Sequence, residues 1–252
     1  IDPKRDVQIV EMELILKDLE TLESKIHKTE KFIKTGDKKI KEEYSWYLEL
    51  KKELDSGRLA KYFIHDFKTR HAKDHEVYLF DDLHLLTDKH ILYVANVDDK
   101  HLNGNEYSKV VAEIAEKENE KAIVLSAEME SELAQLEQQE KAEFMKELGI
   151  KETGLDKLIS TAYKLLGLIT FYTRNEKEVH AWNIHKGTKA PQAAGKIHTD
   201  FEKGFIKAEV IAYDDLIKYG SEHVLREKGL LAYHGRDYVV QDGDIIYFRF
   251  HV

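Results

Sequence analysis

The 252-residue sequence contains no cysteine. That excludes disulfides, thiolate nucleophiles and cysteine-ligated zinc, and it fits a reducing cytosol, so a cytoplasmic location is expected. No stretch approaches the roughly eighteen consecutive apolar residues of a membrane span, so no membrane partner is expected either. The opening IDPKRDVQIV has neither the apolar segment nor the cleavage site of a secretory signal. It also lacks an initiator Met, so the natural gene is expected to begin before Ile1. Internal repeats and low-complexity linkers are missing as well.

What is present supports a folded protein. Hydrophobic residues make up 42% of the chain and charged residues 35%, enough for a real core under a well-solvated surface. The length suits one large domain or two to three modest ones. A net charge of −9 argues against a wholly electrostatic nucleic-acid binder, and DNA is not an expected partner. The charge is uneven: residues 1–57 carry 12 basic and 14 acidic groups, residues 58–167 carry 15 and 22, and residues 168–252 carry 12 and 12. The last third is therefore neutral before its six histidines are counted, so any RNA contact is expected there.

Along the chain, Val7, Val10, Leu14, Leu19, Leu22, Ile26 and Ile33 fall on one side of a helix. After the Gly-containing KTGDKK, a second helical run places Ile40, Tyr44, Tyr47, Leu48 and Leu54 together and closes at DSGR. Residues 1–60 thus read as an antiparallel coiled-coil hairpin, either a packing arm or a binding arm. Residues 61–167 begin with a weak pattern to about residue 80. They then alternate as strand 90–96, helix 105–119, strand 122–126 and helices 137–148 and 154–167, the mark of a parallel α/β sheet. Two strands are too few for a doubly wound domain, so this is expected to be half of one. In residues 168–252, LITFYTRN and EVHAWNIHKG read as a strand pair turning at Asn175–Glu176. FIKAEVIAY is a third strand, and RDYVVQDGDIIYFRFHV reads as a hairpin turning at Asp242–Gly243. The fold class is therefore α/β plus α+β: a helical hairpin, a partial α/β sheet and a β-grasp module of five short strands around a helix.

The two α/β strands end in ANVDD and LSAE, and both ends look like purine-reading loops. In an N-K-x-D loop the Asn approaches the purine N7, and the Asp accepts two hydrogen bonds from guanine, which adenine does not offer. The matching residues are Asn96, Val97, Asp98 and Asp99, with Val97 in place of the Lys, and Ser126, Ala127 and Glu128 in the second loop. Asn and Asp are also ordinary strand-ending turn residues, so an unspecialised turn stays open as the other reading. The phosphate machinery is missing. A phosphate loop needs G-x-x-x-x-G-K-[ST], yet the one Gly-Lys pair, Gly195–Lys196, is followed by Ile197 and preceded by Gly187 at the wrong spacing. No glycine has an Asp three residues before it, so D-x-x-G is lacking too.

In this order, YVANVDD, VLSAEMESELAQLE, GLDKLISTAYKLLGLITFYT and the tail EVHAWNIHKGTKAPQAAGKIHTDFEKGFIKAEV…VVQDGDIIYFRF resemble the Obg-like ATPases of the YchF type. The resemblance runs from about Glu11 to Val252, with the tail similar to that family's TGS-like domain. It implies a factor related to translation GTPases, with a coiled coil inserted in the G domain. It further implies binding and hydrolysis of ATP or GTP with Mg²⁺, association with the ribosome, and a link to stress responses. The family's ATP preference is ascribed to N-x-x-E; here the position holds Asp99, which opens the choice between adenine and guanine. Redox control through cysteine is ruled out by composition. The resemblance places the phosphate loop and switch regions before residue 1, so this chain by itself is expected neither to hydrolyse nucleotide nor to bind it tightly.

Other candidates are weaker. His180 and His185 lie five apart on a strand and face opposite ways, so no metal is expected. HTDFEKG is either a loop closing the β-grasp core or a contact to ribosomal RNA or protein through His198, Lys203 and Lys207. Lys186, Lys189 and Lys196 precede it in a loop able to follow a phosphate backbone. Trp182 and Phe201 could stack on bases or pack in the core, and Glu128–Glu143 reads as a solvated helix face. The choice left open is between a nucleotide-hydrolysing, translation-associated factor represented by its C-terminal part and a non-catalytic ribosome- or RNA-binding fragment.

Overall fold

The computed structural model describes residues 1–34, 36–72, 75–174 and 178–251. It divides into two compact units, Ile1–Leu155 and Asp156–Val252. The expected turn at Asn175–Glu176 lies outside the described residues.

The first unit opens with α1 (Pro3–Ile33), whose first turn is capped by the Asp2 carboxylate accepting from the Arg5 N–H. After a short connection, α2 (Lys38–Asp55) runs back along it: Lys51 meets Glu23 at 3.2 Å and Lys25 lies over the Tyr47 ring. The apolar stripe differs in detail from the expected one. Leu22, Tyr47 and Leu54 are buried as expected and Ile15 and Leu50 are buried besides, whereas Val10 and Leu48 are 58% and 43% exposed. The stripe also contains a charge, Asp18, which is 2% exposed.

The weakly patterned stretch after residue 58 forms α3 (Ala60–Arg70). Phe63, Ile64 and Phe67 on its inner face join Tyr47 and Phe80 in an aromatic core, with ring centroids of Phe67 and Phe80 4.9 Å apart at 80°. Edge-to-face pairs of this kind add roughly 0.5–1.5 kcal/mol beyond their burial. Asp18 ties the arm to this core. Its carboxylate accepts from the Leu86 and Thr87 N–H groups (2.7 and 2.8 Å) and from the Thr87 hydroxyl (2.7 Å). Thr87 Oγ1 in turn accepts the N–H of Ala60, at the start of α3.

A β–α–β unit follows: β1 (Leu92–Asn96), α4 (Glu106–Lys117) and β2 (Lys121–Leu125). The strands are parallel, in register from Leu92↔Lys121 to Asn96↔Leu125. Asn105 and Ser108 cap α4 reciprocally. Beyond β2, the acidic run is two helices rather than one face, α5 (Ala127–Leu133) and α6 (Gln138–Glu147). The division between units falls in the first turn of α7 (Gly154–Leu165).

The second unit carries β3 (Leu168–Arg174), β4 (Val179–His185), α8 (Ala190–Ile197), α9 (Thr199–Lys203), β5 (Phe205–Ala212), α10 (Tyr213–Tyr219), α11 (Glu222–Glu227), β6 (Ala232–His234) and β7 (Asp244–Phe250). The strands form one sheet in the order β4-β3-β7-β5-β6, with β3 and β7 parallel and the other neighbours antiparallel. Ala190, Ala193 and Ala194 of α8 pack on Phe171, Ala208, Val210, Ile246 and Phe248. Trp182 and Phe201 pack against the same core.

The hairpin expected at Asp242–Gly243 is not formed. The backbone of 238–240 is engaged with the segment before α8 instead: Val240 N–H donates to the Thr188 carbonyl at 3.0 Å and Ala190 N–H to the Tyr238 carbonyl at 2.8 Å. Asp242 accepts from Thr170 N–H and Gly243 N–H donates to the Thr170 carbonyl, each at 2.8 Å, so the turn is bound to β3. Gly243 holds φ +84°, a conformation that L side chains rarely adopt. The edge beside β5 is taken by the three residues Ala232–His234.

Candidate functional site

The candidate purine loops begin where β1 and β2 end, and parallel pairing sets them side by side. The Val97 N–H donates to the Leu125 carbonyl at 2.9 Å, carrying the ladder one step past the strand ends. Beyond it the two loops are joined by side chains. Asn96 Oδ1 accepts from the Ala127 N–H at 2.9 Å, and the Ser126 hydroxyl donates to Asp99 Oδ1 at 2.5 Å. Ser126 is fully buried, and its Oγ also accepts from the Met129 N–H at 3.2 Å, so one hydroxyl caps α5 and positions the carboxylate.

The arrangement assigns separate tasks to the two adjacent aspartates. Asp98 closes its own turn, accepting from the Lys100 N–H at 3.0 Å and lying 2.6 Å from His101 Nδ1. The hydrogen bond from His101 holds the Asp98 carboxyl below the usual carboxylate range. Asp99 is exposed, with its only hydrogen bond among the described residues going to Ser126. Asn96 has its oxygen engaged, leaving its amide N–H groups as the side chain's donors. Val97 is half-buried, and Ala127 and Glu128 are exposed in the first turn of α5.

Two contributors carried no motif. Gly154 lies so close to β2 that an added Cβ would stand 2.5 Å from Leu125 Cβ, and its N–H donates to Glu130 Oε1 at 2.6 Å. The absence of a side chain there keeps β2 and the start of α5 in place. On the other side, Asn96, Val97, Asp98, His101, Asn105 and Tyr107 line a cleft of roughly 490 Å³. The capping pair Asn105–Ser108 therefore borders the first loop, a relation visible only once α4 is folded back on β1.

The residues gathered here present an amide donor and a positioned carboxylate at one strand-end edge. They do not supply a metal site: among the described residues, no group of three or more His, Asp or Glu could hold an ion.

The lysines expected to meet RNA lie in the segment between β4 and α8, at the α8–α9 corner and on β5. All are exposed. Lys186 borders a cleft with Lys164, Gly167 and Asp242, and Lys189 pairs with Asp237 at 2.8 Å. Lys196, His198 and Lys203 mark the α8–α9 corner, where the His198 ring accepts from the Asp200 N–H. Lys207 lies on the opposite sheet face from the buried Ala208, with its Nζ 4.2 Å from the centre of the Tyr233 ring.

Comparison with known proteins places these features in a family. Residues 168–251 match the family model YchF-GTPase_C, described as a protein of unknown function. The chain is 45% identical over its full length to the ribosome-binding ATPase YchF of Bacillus subtilis, covering 68% of that protein. It is 40% identical to the protein of the same name from Escherichia coli O157:H7, again covering 68%. It is 39% identical to Obg-like ATPase 1 of Gallus gallus, with 99% of this chain matched to 63% of that protein. In structure it is similar to the YchF GTPase of Schizosaccharomyces pombe, with a TM-score of 0.79 and 31% identity over 99% of this chain and 66% of the other. The chain therefore belongs to the YchF/Obg-like ATPase family and represents part of the length of its relatives.

Proposed function

We propose that this chain carries the base-reading and C-terminal parts of a ribosome-associated factor that binds and hydrolyses a purine nucleotide. The observation that carries the reading is the double tie between the loops, Asn96 to the Ala127 N–H and Ser126 to Asp99. In this reading α1 and α2 are the family's coiled-coil arm, β1 to α6 the later part of a G domain, and the second unit a TGS-like β-grasp domain. Within the complete factor, Asn96 would hold the purine ring edge, Asp99 would face the exocyclic position, and the backbone at Ala127 would line the base. The nucleotide's phosphates and Mg²⁺ would be held by sequence that the relatives have and this chain does not span. Ribosome binding, printed in the names of the bacterial relatives, is carried to this chain as part of the same proposal.

Two outcomes are expected. The 252-residue chain alone is expected to release no phosphate from ATP or GTP above background, because phosphoryl transfer depends on a phosphate cradle and a metal-holding hydroxyl whose motif its sequence does not contain. Mg²⁺-dependent hydrolysis surviving rigorous purification would refute that. Second, when the chain is joined to the unmatched N-terminal part of the Bacillus subtilis relative, competition binding is expected to show Asp99→Glu shifting the ATP/GTP ratio toward ATP. The shift should be worth roughly 1–3 kcal/mol, the usual scale for gaining or losing a paired acceptor. An unchanged ratio would remove Asp99 from the base site.

A further inference from the structure

We propose that a groove at the start of β3, in the second unit, captures the free C-terminus of a partner protein that ends in aliphatic residues. The terminal carboxylate sits between Lys164 and Lys186, and the residues before it lie along Leu168 and Val239 as an added extended strand. The groove shares no residue with the purine loops and takes a different class of ligand.

The groove follows from two extended segments that are each paired on one side only. Lys186 N–H donates to the Gly167 carbonyl at 2.8 Å, and the register of β3 with β4 sets Leu168 opposite His185. In an antiparallel pair alternate residues exchange hydrogen bonds with the partner strand, so the backbone groups of Leu168 and Thr170 are turned away from β4. Those of Thr170 are taken by Asp242 and Gly243. Those of Leu168 have no partner on that side among the described residues. Residues 238–240 are built the same way. They bond to 188–190 through the Val240 N–H and the Tyr238 carbonyl, which turns the N–H and C=O of Val239 outward. Gln241 Nε2 donates to the Val239 carbonyl at 2.7 Å, while the Val239 N–H has no partner among the described residues. Both segments border one groove of roughly 580 Å³, within the ordinary size range of ligand sites.

The chemistry of the lining selects the occupant. Leu168, Ile169, Val239 and Val240 supply an aliphatic surface, and Val239 is left 39% exposed. Lys164 and Lys186 meet at the Gly167 end, where Gly167 N–H donates to the Lys164 carbonyl and its own carbonyl accepts from Lys186. Both lysines are exposed, and neither has an ion pair among the described residues. Asp242 borders the other end beside Thr170, about 10 Å further along β3. One carboxylate at the end of an aliphatic chain matches this layout, with its charge at the lysines and its side chains on the lining. A nucleic-acid strand carries a negative charge at every nucleotide and would set one of them against Asp242. A free aliphatic acid would leave the backbone groups of Leu168 and Val239 unbonded, whereas a peptide added as a strand bonds them.

The test uses the whole chain. Fluorescence anisotropy follows an N-terminally labelled peptide ending in Val-Leu-Val with a free carboxylate, beside the same peptide ending in an amide. Decanoate and an oligouridine serve as competitors, and thermal melts check the variants' folding. The amide is expected to bind about tenfold more weakly, the scale of a lost charge-assisted hydrogen bond. Lys164→Ala with Lys186→Ala is expected to weaken the free acid about tenfold and to erase its advantage over the amide. Val239→Asp, which sets a carboxylate against the aliphatic lining, should abolish binding. Lys218→Ala with Lys228→Ala removes the same charge at residues that do not border the groove and should leave binding unchanged. No binding of the free acid, equal binding of acid and amide, or indifference to both groove lysines would overturn the proposal. Displacement of the peptide by equimolar decanoate would give the groove to free aliphatic acids, and displacement by oligouridine would give it to nucleic acid. Either result also overturns the proposal, and none of these outcomes bears on the purine loops.

Discussion

At the scale of single residues, a few side chains act in more than one interaction, and their positions explain what was legible. Asn96, Asp99 and Ser126 could be picked out because strand ends and helix starts are local features, and parallel strands bring such ends together. Glu11 could not be. Its partners arrive from distant sequence: the Tyr93 hydroxyl, 82 positions away, lies 3.2 Å from Glu11 and 3.0 Å from Glu118, with Lys61 3.1 Å from Glu118 and from Glu120. Burial first, and then the hydrogen bond and charge of Glu118, push the Glu11 carboxyl from 4.5 up to about 7, against the opposing pull of Tyr93 and Lys61. Between those two values the folded protein keeps a proton that the unfolded chain has released. The stabilisation is thus fully present below pH 4.5 and lost as the pH rises through about 7. The thermal midpoint is expected to fall between pH 5 and 8, and Glu11→Gln, which keeps the hydrogen-bonding shape without the charge, is expected to flatten that slope. Melts of both proteins across the range decide it: parallel curves would mean that Glu11 does not titrate in the folded state.

At the scale of elements, the helical arm was legible as two helices, with Leu22, Tyr47 and Leu54 placed on the buried side. Counting apolar residues also favoured Val10 and Leu48, which are exposed, and passed over Ile15, Asp18 and Leu50, which are buried. The misreading has a physical source, since a pattern search scores Asp18 as a surface residue. Asp18 is inside because the N–H groups of Leu86 and Thr87 and the Thr87 hydroxyl meet its carboxylate, and those partners sit 68 and 69 positions away. Similar reasoning covers α3, whose lysines, histidine and aspartate diluted the signal of Phe63, Ile64 and Phe67. Replacing Asp18 with Ala would leave two backbone donors and a hydroxyl without their acceptor. Each lost charged hydrogen bond is worth about 1.5–3 kcal/mol, and repacking or water recovers part of the total. Asp18→Ala is therefore expected to lower stability by about 3 kcal/mol, with Leu16→Ala on the exposed side of the same helix close to neutral. Urea denaturation of both variants measures it, and equal midpoints would show that the clamp does not hold the arm.

For the whole molecule, the two units are completed to different degrees. In the second, five strands enclose their own core with α8, and the strand count agreed with the sequence pattern even where the identity of one strand did not. The run RDYVVQ has the alternation of a strand, but its backbone groups bond to the segment before α8. The true edge strand, Ala232–His234, is too short to leave a periodic signal. In the first unit, β1 and β2 form a parallel pair whose side chains are at best half-buried. Parallel sheets are ordinarily covered on both faces, because their strands are built of apolar residues. Stability in the first unit therefore rests mainly on the aromatic core around Phe67 and Phe80 and on Asp18. In the second it rests on the core that the sheet encloses with α8. Residues 156–252, expressed alone, are accordingly expected to fold with a single cooperative thermal transition and well-dispersed amide resonances. In the intact chain, hydrogen exchange is expected to protect β3, β5 and β7 longer than β1 and β2. A non-cooperative melt of the isolated segment would mean that the second unit depends on the first, and slower exchange in β1 and β2 than in β5 and β7 would make the first unit the more stable of the two.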